Sequence, residues 1–293
     1  MRRQVPFAAV LLLAILRIAA APVPFRFAIL GDRTGDAQPG VYERIWREAT
    51  ATNPAFVVTV GDTIEGGSDS TAAIQWQQWQ QLIRPYRIIP VYLTPGNHDI
   101  WSPRSEALFQ QYSGHPPHYS FDYQQAHFTI VDNSRSEQFS SAELQFLESD
   151  LRSHTAQPLK FVISHRPSWL IDSSLGNTAS SFHQLMKRYG VHYVVAGHVH
   201  QLIHAKLEGI SYVSLPSSGG HLRSSSAYRD GWFFGYSVVE VDGSASTFQI
   251  HELGSERVTT LDDWGILGLI GEKIRAAAAW PILRDLCTRD RAS

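Results

Sequence analysis

Five short apolar runs in this chain each end in a cluster of glycine or serine with metal-binding residue types, and this repetition constrains the fold more than any other feature. The clusters are Gly31-Asp32-Arg33-Thr34, Gly61-Asp62-Thr63, Gly96-Asn97-His98-Asp99, Ser164-His165 and Gly197-His198-Val199-His200. Short β-branched and aromatic runs read as buried strands. In open α/β folds the carboxyl ends of strands converge on one crevice. One edge of the protein therefore receives Asp, Asp, Asn and three His. That donor set is enough for two divalent ions sharing a carboxylate. Glycine before Asp32, Asp62, Asn97 and His198 permits the tight turns and close backbone approach such a site needs.

The pattern around the clusters supports the same architecture. Phe25 to Leu30, Phe56 to Val60, Ile88 to Leu93, Phe161 to Ile163 and Tyr193 to Val195 read as strands. Val41 to Thr52, with Tyr42, Ile45, Trp46 and Ala49 on one face, and Thr71 to Arg84 read as helices. This alternation predicts an α/β sandwich. Tyr119 to Asp122 with His127 to Val131, then Gln201 to Leu207, Ser211 to Leu215, Gly235 to Val241 and Thr247 to Glu252, look like hairpins and predict a mixed second sheet. No linker divides the middle, so 25–254 reads as one domain, with 255–293 as a C-terminal helical tail.

Composition excludes several classes. Of 293 residues 43% are hydrophobic, which supplies a core and rules out disorder. No run approaches the ~18 apolar residues of a membrane-spanning helix. The net charge of -2 lacks the basic footprint of a nucleic-acid binder. The single cysteine, Cys287, excludes an internal disulfide framework and a cysteine-based zinc cluster.

Residues 1–21 have the layout of a secretory signal peptide: Arg2 and Arg3, an apolar run from Phe7 to Leu16 ended by Arg17, then Ala19, Ala20 and Ala21 before Pro22. Ten apolar residues are too few to span a bilayer, so a membrane anchor is the lesser alternative. Cleavage removes three arginines and leaves 22 basic against 27 acidic residues, a net charge of -5. The expected location is the periplasm or the exterior.

With GD at 31–32, GD at 61–62, GNHD at 96–99, His165 and GHVH at 197–200 in order, the chain resembles the calcineurin-like metallophosphoesterase superfamily over 25–254. The resemblance implies two mixed sheets packed face to face between helical layers, an α/β/β/α arrangement. It implies that Asp62 bridges two ions (Mn, Fe or Zn), that Asn97, His165 and His198 complete one site, and that Asp32 and His200 hold the other. It further implies attack on phosphorus by a bridging hydroxide, His98 assisting the leaving oxygen, and Asp99 orienting His98. One departure stands out. The family's first motif is often Asp-x-His, and here it reads Asp32-Arg33-Thr34. The first site therefore lacks an imidazole, and water, Asp36 or Thr34 are the stand-ins. Some branches place a Tyr three residues after the bridging Asp; this chain has Glu65.

Beyond the motifs, Arg33 and Arg166 have the planar donors that fit a phosphate, and His221, in a Gly/Ser-rich loop, is a further candidate to reach the site. The alternatives are a surface ion pair for Arg33, rim packing for Arg166 and a solvated His221. The tail is apolar from Trp264 to Ile270, then charged. Docking on its own domain is the expectation, with peripheral membrane contact or dimerisation as alternatives. The function read from the sequence is an exported metal-dependent hydrolase of small phosphate mono- or diesters. The alternatives are a weakened metal-binding scaffold of the same fold and a nuclease, the latter disfavoured by the acidic mature chain.

Overall fold

The computed structural model describes residues 23–224 and 227–264. Residues 1–21, read above as a signal peptide, and the tail beyond Trp264, with Cys287, lie outside the described residues. Among those described, no helix is long and apolar enough to cross a membrane.

Two six-stranded sheets form the body. The first has the order β12-β11-β10-β1-β2-β3, with β1 (Phe25–Leu30), β2 (Val57–Thr59), β3 (Val91–Tyr92), β10 (Gly235–Asp242), β11 (Ala245–Glu252) and β12 (Val258–Thr260). The second has the order β4-β5-β6-β7-β9-β8, with β4 (Tyr119–Tyr123), β5 (Ala126–Ile130), β6 (Leu159–Ile163), β7 (Tyr193–Ala196), β8 (Ile203–Leu207) and β9 (Ile210–Ser214). β1, β2 and β3 run parallel, as do β5, β6, β7 and β9.

Side-chain alternation builds the layers, because successive strand residues face opposite ways. Phe27 and Ile29 of β1 point between the sheets with Val58, Phe128, Phe161, Ile163 and Val195. Ala28 and Leu30 point outward, onto α1 (Val41–Ala51), α2 (Ala72–Ile83) and α3 (Pro103–Ser113), where Trp46, Trp76 and Phe109 are fully buried. On the far side Val162 and Val194 meet Leu147 and Leu151 of α4 (Ser141–Ser153), Leu170 of α5 (Leu170–Ser174) and Met186 of α6 (Ser181–Arg188). The result is the expected four-layer order. The apolar face of α1 is the expected one: Tyr42, Ile45, Trp46 and Ala49.

Three expectations need correction. Ile88 to Leu93 is not a buried strand: only Val91 and Tyr92 pair, both half-buried, and Ile88 is 90% exposed. Pro90 has no N–H to give a ladder, so pairing begins after it. Gly235 to Val241 and Thr247 to Glu252 do not belong to the second sheet. They join the first, because β10 pairs antiparallel with β1 along its whole length. The domain does not stop at 254 and the tail does not begin as a helix. β12 adds to β11, and the short helix α7 (Leu261–Trp264) buries Leu261 and sets Trp264 against Tyr228 and Phe233.

Candidate metal centre

All five clusters leave the carboxyl ends of parallel strands, three from one sheet and two from the other. β1 delivers Asp32, β2 Asp62, β3 Asn97 and His98, β6 His165, and β7 His198 and His200. Asp62, His198 and His200 adopt left-handed backbone conformations, with φ of 54°, 69° and 59°. Such values are costly for non-glycine residues and concentrate where a site over-determines them. Close approach is enforced by glycine. A Cβ on Gly61 would lie 2.6 Å from His165 Nδ1, and one on Gly96 would lie 2.2 Å from Asp62 Oδ1.

Four of the six residues form one tight group. His165 Nε2 is 2.9 Å from Asn97 Oδ1, 3.2 Å from His198 Nδ1 and 3.3 Å from Asp62 Oδ1. Ligands bonded to one ion at ~2.0–2.2 Å stand roughly 3.0–3.5 Å apart, so the donor set fits a single divalent ion. On its other side His165 Nδ1 donates to the Val60 carbonyl at 2.8 Å, which directs Nε2 to the group. The charges of these groups depend on one another. Burial disfavours the Asp62 carboxylate, but His165 and His98 beside it hold its pKa well below the usual range. Burial likewise opposes a charged His165, and Asp62 outweighs it, raising that pKa to about 9. Burial and the positive charge on His165 push His198 well down. A divalent ion bound here would take the place of the proton on His165 Nε2.

Asp32 and His200 form the second group. Their nearest approach is 3.3 Å, from His200 Nε2 to Asp32 Oδ2. His200 Nδ1 donates to the His221 carbonyl at 2.8 Å, so Nε2 carries the lone pair. Asp32 Oδ1 and His200 Nε2 are both buried and neither has a hydrogen-bond partner. Such orphaned acceptors are costly unless something electropositive sits between them. The residues present therefore fit divalent ions at both groups.

The surrounding residues differ from expectation in specific ways. Asp99 does not orient His98. Its Oδ1 accepts from the amides of Thr63 (2.8 Å) and Ile64 (3.1 Å), and its Oδ2 from the Gly96 amide (2.9 Å). It clasps the β2 and β3 loops together. Burial and the nearby Asp62 charge raise its pKa to about 7. His98 is oriented instead by the Glu65 carbonyl, 2.6 Å from Nδ1. Burial alone would lower the His98 pKa, but the Asp62 charge and this carbonyl raise it. Arg33 is occupied internally, donating to the Thr63 carbonyl at 2.8 Å with its guanidinium over the Tyr42 ring. Arg166 is 9% exposed, pairs with Glu137 and places Nη1 3.1 Å from His198 Nε2. His221 sits at the edge of the Asp32–His200 group, its Nδ1 on the Gly35 carbonyl. Thr34, one of the stand-ins for the missing imidazole, gives its hydroxyl to Glu65.

Asn133, after β5, was not among the expected site residues. It is buried, its Oδ1 accepts from the His165 (3.1 Å) and Arg166 (3.0 Å) amides, and it holds the His165 loop in place. The signal was present, because Val131-Asp132-Asn133 is another polar cluster after an apolar run. A cavity of about 710 Å³ lined by Phe25, Asn53, Glu240 and Ser246 lies at the opposite, amino end of β1 and touches none of these residues.

Asp122, His127 and His154 also bring ligand atoms within 4.8 Å of one another. The His127 and His154 rings stack face to face, 3.8 Å apart at 15°. Both His127 nitrogens are already on carboxylates, Asp122 (2.7 Å) and Asp150 (2.8 Å). Lone pairs lie in the ring plane, so stacked rings do not aim at a common ion. This group is an ion-pair network.

A family profile for the calcineurin-like phosphoesterases matches residues 25–202. The chain belongs to that family: it is a metallophosphoesterase, a hydrolase of phosphoester bonds whose chemistry uses divalent metals. Among proteins of known activity it is similar to the 3',5'-cyclic adenosine monophosphate phosphodiesterase CpdA of Escherichia coli K12, 26% identical over 243 residues, 78% of this chain and 85% of that one. In fold it is similar to a purple acid phosphatase from yellow lupin seeds (TM-score 0.62, 17% identity, 82% of this chain), of which it spans only 53%. It is also similar to a dimetal phosphatase from Danio rerio (TM-score 0.56, 13% identity, 82% of this chain and 99% of that one).

Proposed function

We propose that this protein is an exported phosphodiesterase that hydrolyses small phosphate diesters with two divalent ions, of Mn, Fe or Zn type. The convergence of Asp32, Asp62, Asn97, His165, His198 and His200 on one sheet edge, with orphaned acceptors facing inward, carries the reading. When bound, such ions supply Lewis-acid stabilisation of phosphoryl oxygens and a nucleophile at neutral pH. His98 does the proton work. Its Nδ1 is committed to the Glu65 carbonyl, so Nε2 carries the exchangeable proton. The raised pKa keeps that proton available for a departing alkoxide. Arg166 and His221 flank the two groups and would be the residues that touch substrate. The relative's activity on a cyclic nucleotide favours diesters over monoesters. The acidic mature chain favours a small substrate over a polynucleotide. Export rests on the basic start, apolar run and alanine triplet of residues 1–21.

The test is a panel of p-nitrophenyl phosphate, bis-p-nitrophenyl phosphate and 3',5'-cyclic AMP on chelator-stripped protein, with each metal added back. Metal-dependent turnover that favours the diesters is expected. Preference for the monoester overturns the diester assignment. Failure on every ester with every ion, in folded protein that still binds metal, favours a metal-binding scaffold instead.

A further inference from the structure

The Asp32–His200 group is short of a ligand. The shared motif positions give it Asp32, Asp62 and His200, and Thr34 stands where a second imidazole is often found. A neutral hydroxyl is a poor ligand beside imidazole or carboxylate. The Thr34 hydroxyl is moreover committed elsewhere, because it donates to the Glu65 carboxylate. Asp32 Oδ1 and His200 Nε2 remain buried without hydrogen-bond partners.

Glu65 borders this group through the 34–36 segment. Its Oε2 takes the Thr34 hydroxyl and its Oε1 accepts from the Asp36 amide at 3.0 Å, so the carboxylate is seated on the 34–36 segment. That segment packs on the His200 ring: a Cβ on Gly35 would be 3.1 Å from His200 Cε1 and 3.5 Å from Nε2. The backbone of Glu65 is fixed relative to the site by its carbonyl on His98 Nδ1. Among the described residues no lysine or arginine pairs with its carboxylate. An anionic oxygen donor, held only by neutral groups, thus stands beside a site that lacks one donor.

We propose that Glu65 is the ligand that replaces the missing imidazole, completing the Asp32–Asp62–His200 site with a carboxylate. The assignment rests on the two-ion reading above. It gives this chain a harder, more anionic first site than an Asp-x-His motif would, one suited to Mn or Mg over softer ions. Thr34 is then the residue that parks the carboxylate, and Asp36 contributes only its backbone.

Metal content decides it without reference to turnover. Stripped wild type, Glu65→Gln, Asp36→Asn and the double variant Thr34→His/Glu65→Gln are loaded with Mn²⁺, desalted and assayed for manganese per chain. The same proteins are titrated calorimetrically, and their metal-free melting is compared to confirm the fold. Wild type and Asp36→Asn are expected to hold two ions. Glu65→Gln is expected to hold about one, with the weaker site loosened at least ~10-fold and the tighter site unchanged. The double variant is expected to regain the second ion. Two ions at wild-type affinity in Glu65→Gln would overturn the assignment while leaving two-ion binding intact. One ion in both wild type and Glu65→Gln would overturn the two-ion reading, and this assignment with it.

Discussion

At the scale of single residues, position along the chain marked the side chains that converge at the sheet edge but not the residues that support them. Asp32, Asp62, Asn97, His165, His198 and His200 were legible because each follows an apolar run, most of them directly after a glycine. The roles around them depend on which loop folds over which. Asp99 sits beside His98 in sequence, yet its carboxylate is spent on three amides from the β2 and β3 loops. No sequence pattern reports a bond between a side chain and a backbone amide 36 residues away. The two roles separate experimentally. Asp99→Ala leaves three buried donors unsatisfied, each worth about 1–3 kcal/mol, so a large fall in melting temperature is expected. Wild-type melting with a displaced pH–rate profile would instead restore Asp99 as the group that orients His98. His98→Ala, by contrast, is expected to keep its metal and lose about 10²-fold or more in turnover. Full activity with metal bound would remove His98 from the chemistry.

At the scale of elements, the outer strand β4, β5 and helix α4 are joined by a buried charge network centred on His127. Its ring bridges Asp122 and Asp150, and Asp150 also accepts from Ser120 and Thr129. His154 stacks on the ring and donates to the Asp150 carbonyl. Burial opposes charging His127, but the two carboxylates outweigh it and raise its pKa. Burial opposes the Asp150 charge too, and the His127 bond outweighs it and lowers that pKa. The His127 contribution to stability is therefore complete below its unfolded pKa of ~6.5 and is lost as pH rises through the folded value. The Asp150 contribution is complete above its unfolded pKa and is lost as pH falls through its folded value. The stability gap between wild type and His127→Gln, read from urea melts, should be wider near pH 6 than near pH 9. A gap that stays constant with pH would mean His127 is neutral in the fold. The sequence shows His127 only as the start of a strand, because the network forms across a hairpin and a helix. Strand membership was obscured in a similar way. The run at Ile88 to Leu93 is apolar and includes Ile88, Ile89 and Val91, but Pro90 and the turn before it leave two residues to pair.

At the scale of the whole molecule, two sheets share one functional edge. The centre cannot form unless the sheets pack in register, since β1, β2 and β3 supply Asp32, Asp62 and Asn97 while β6 and β7 supply the three imidazoles. The inner aromatic layer of Phe27, Phe56, Phe128 and Phe161 sets that register, with ring centroids about 5 Å apart. Phe161→Ala is expected to cost about 3–5 kcal/mol and to weaken metal binding along with the fold, although it touches no ligand. An α/β sandwich was readable from alternating strands and helices, and the four-layer order from the family resemblance. The placing of β10, β11 and β12 in the first sheet was not, because hairpins carry no label for the strand they finally join. The central claim is that six side chains from both sheets hold two ions at this edge. Anomalous diffraction from crystals loaded with Mn²⁺ tests it most directly. The account predicts two peaks, one among Asp62, Asn97, His165 and His198 and one among Asp32, Asp62 and His200 with Glu65 against it. A single peak, or manganese bound between Asp122 and His154 in place of this edge, would contradict it.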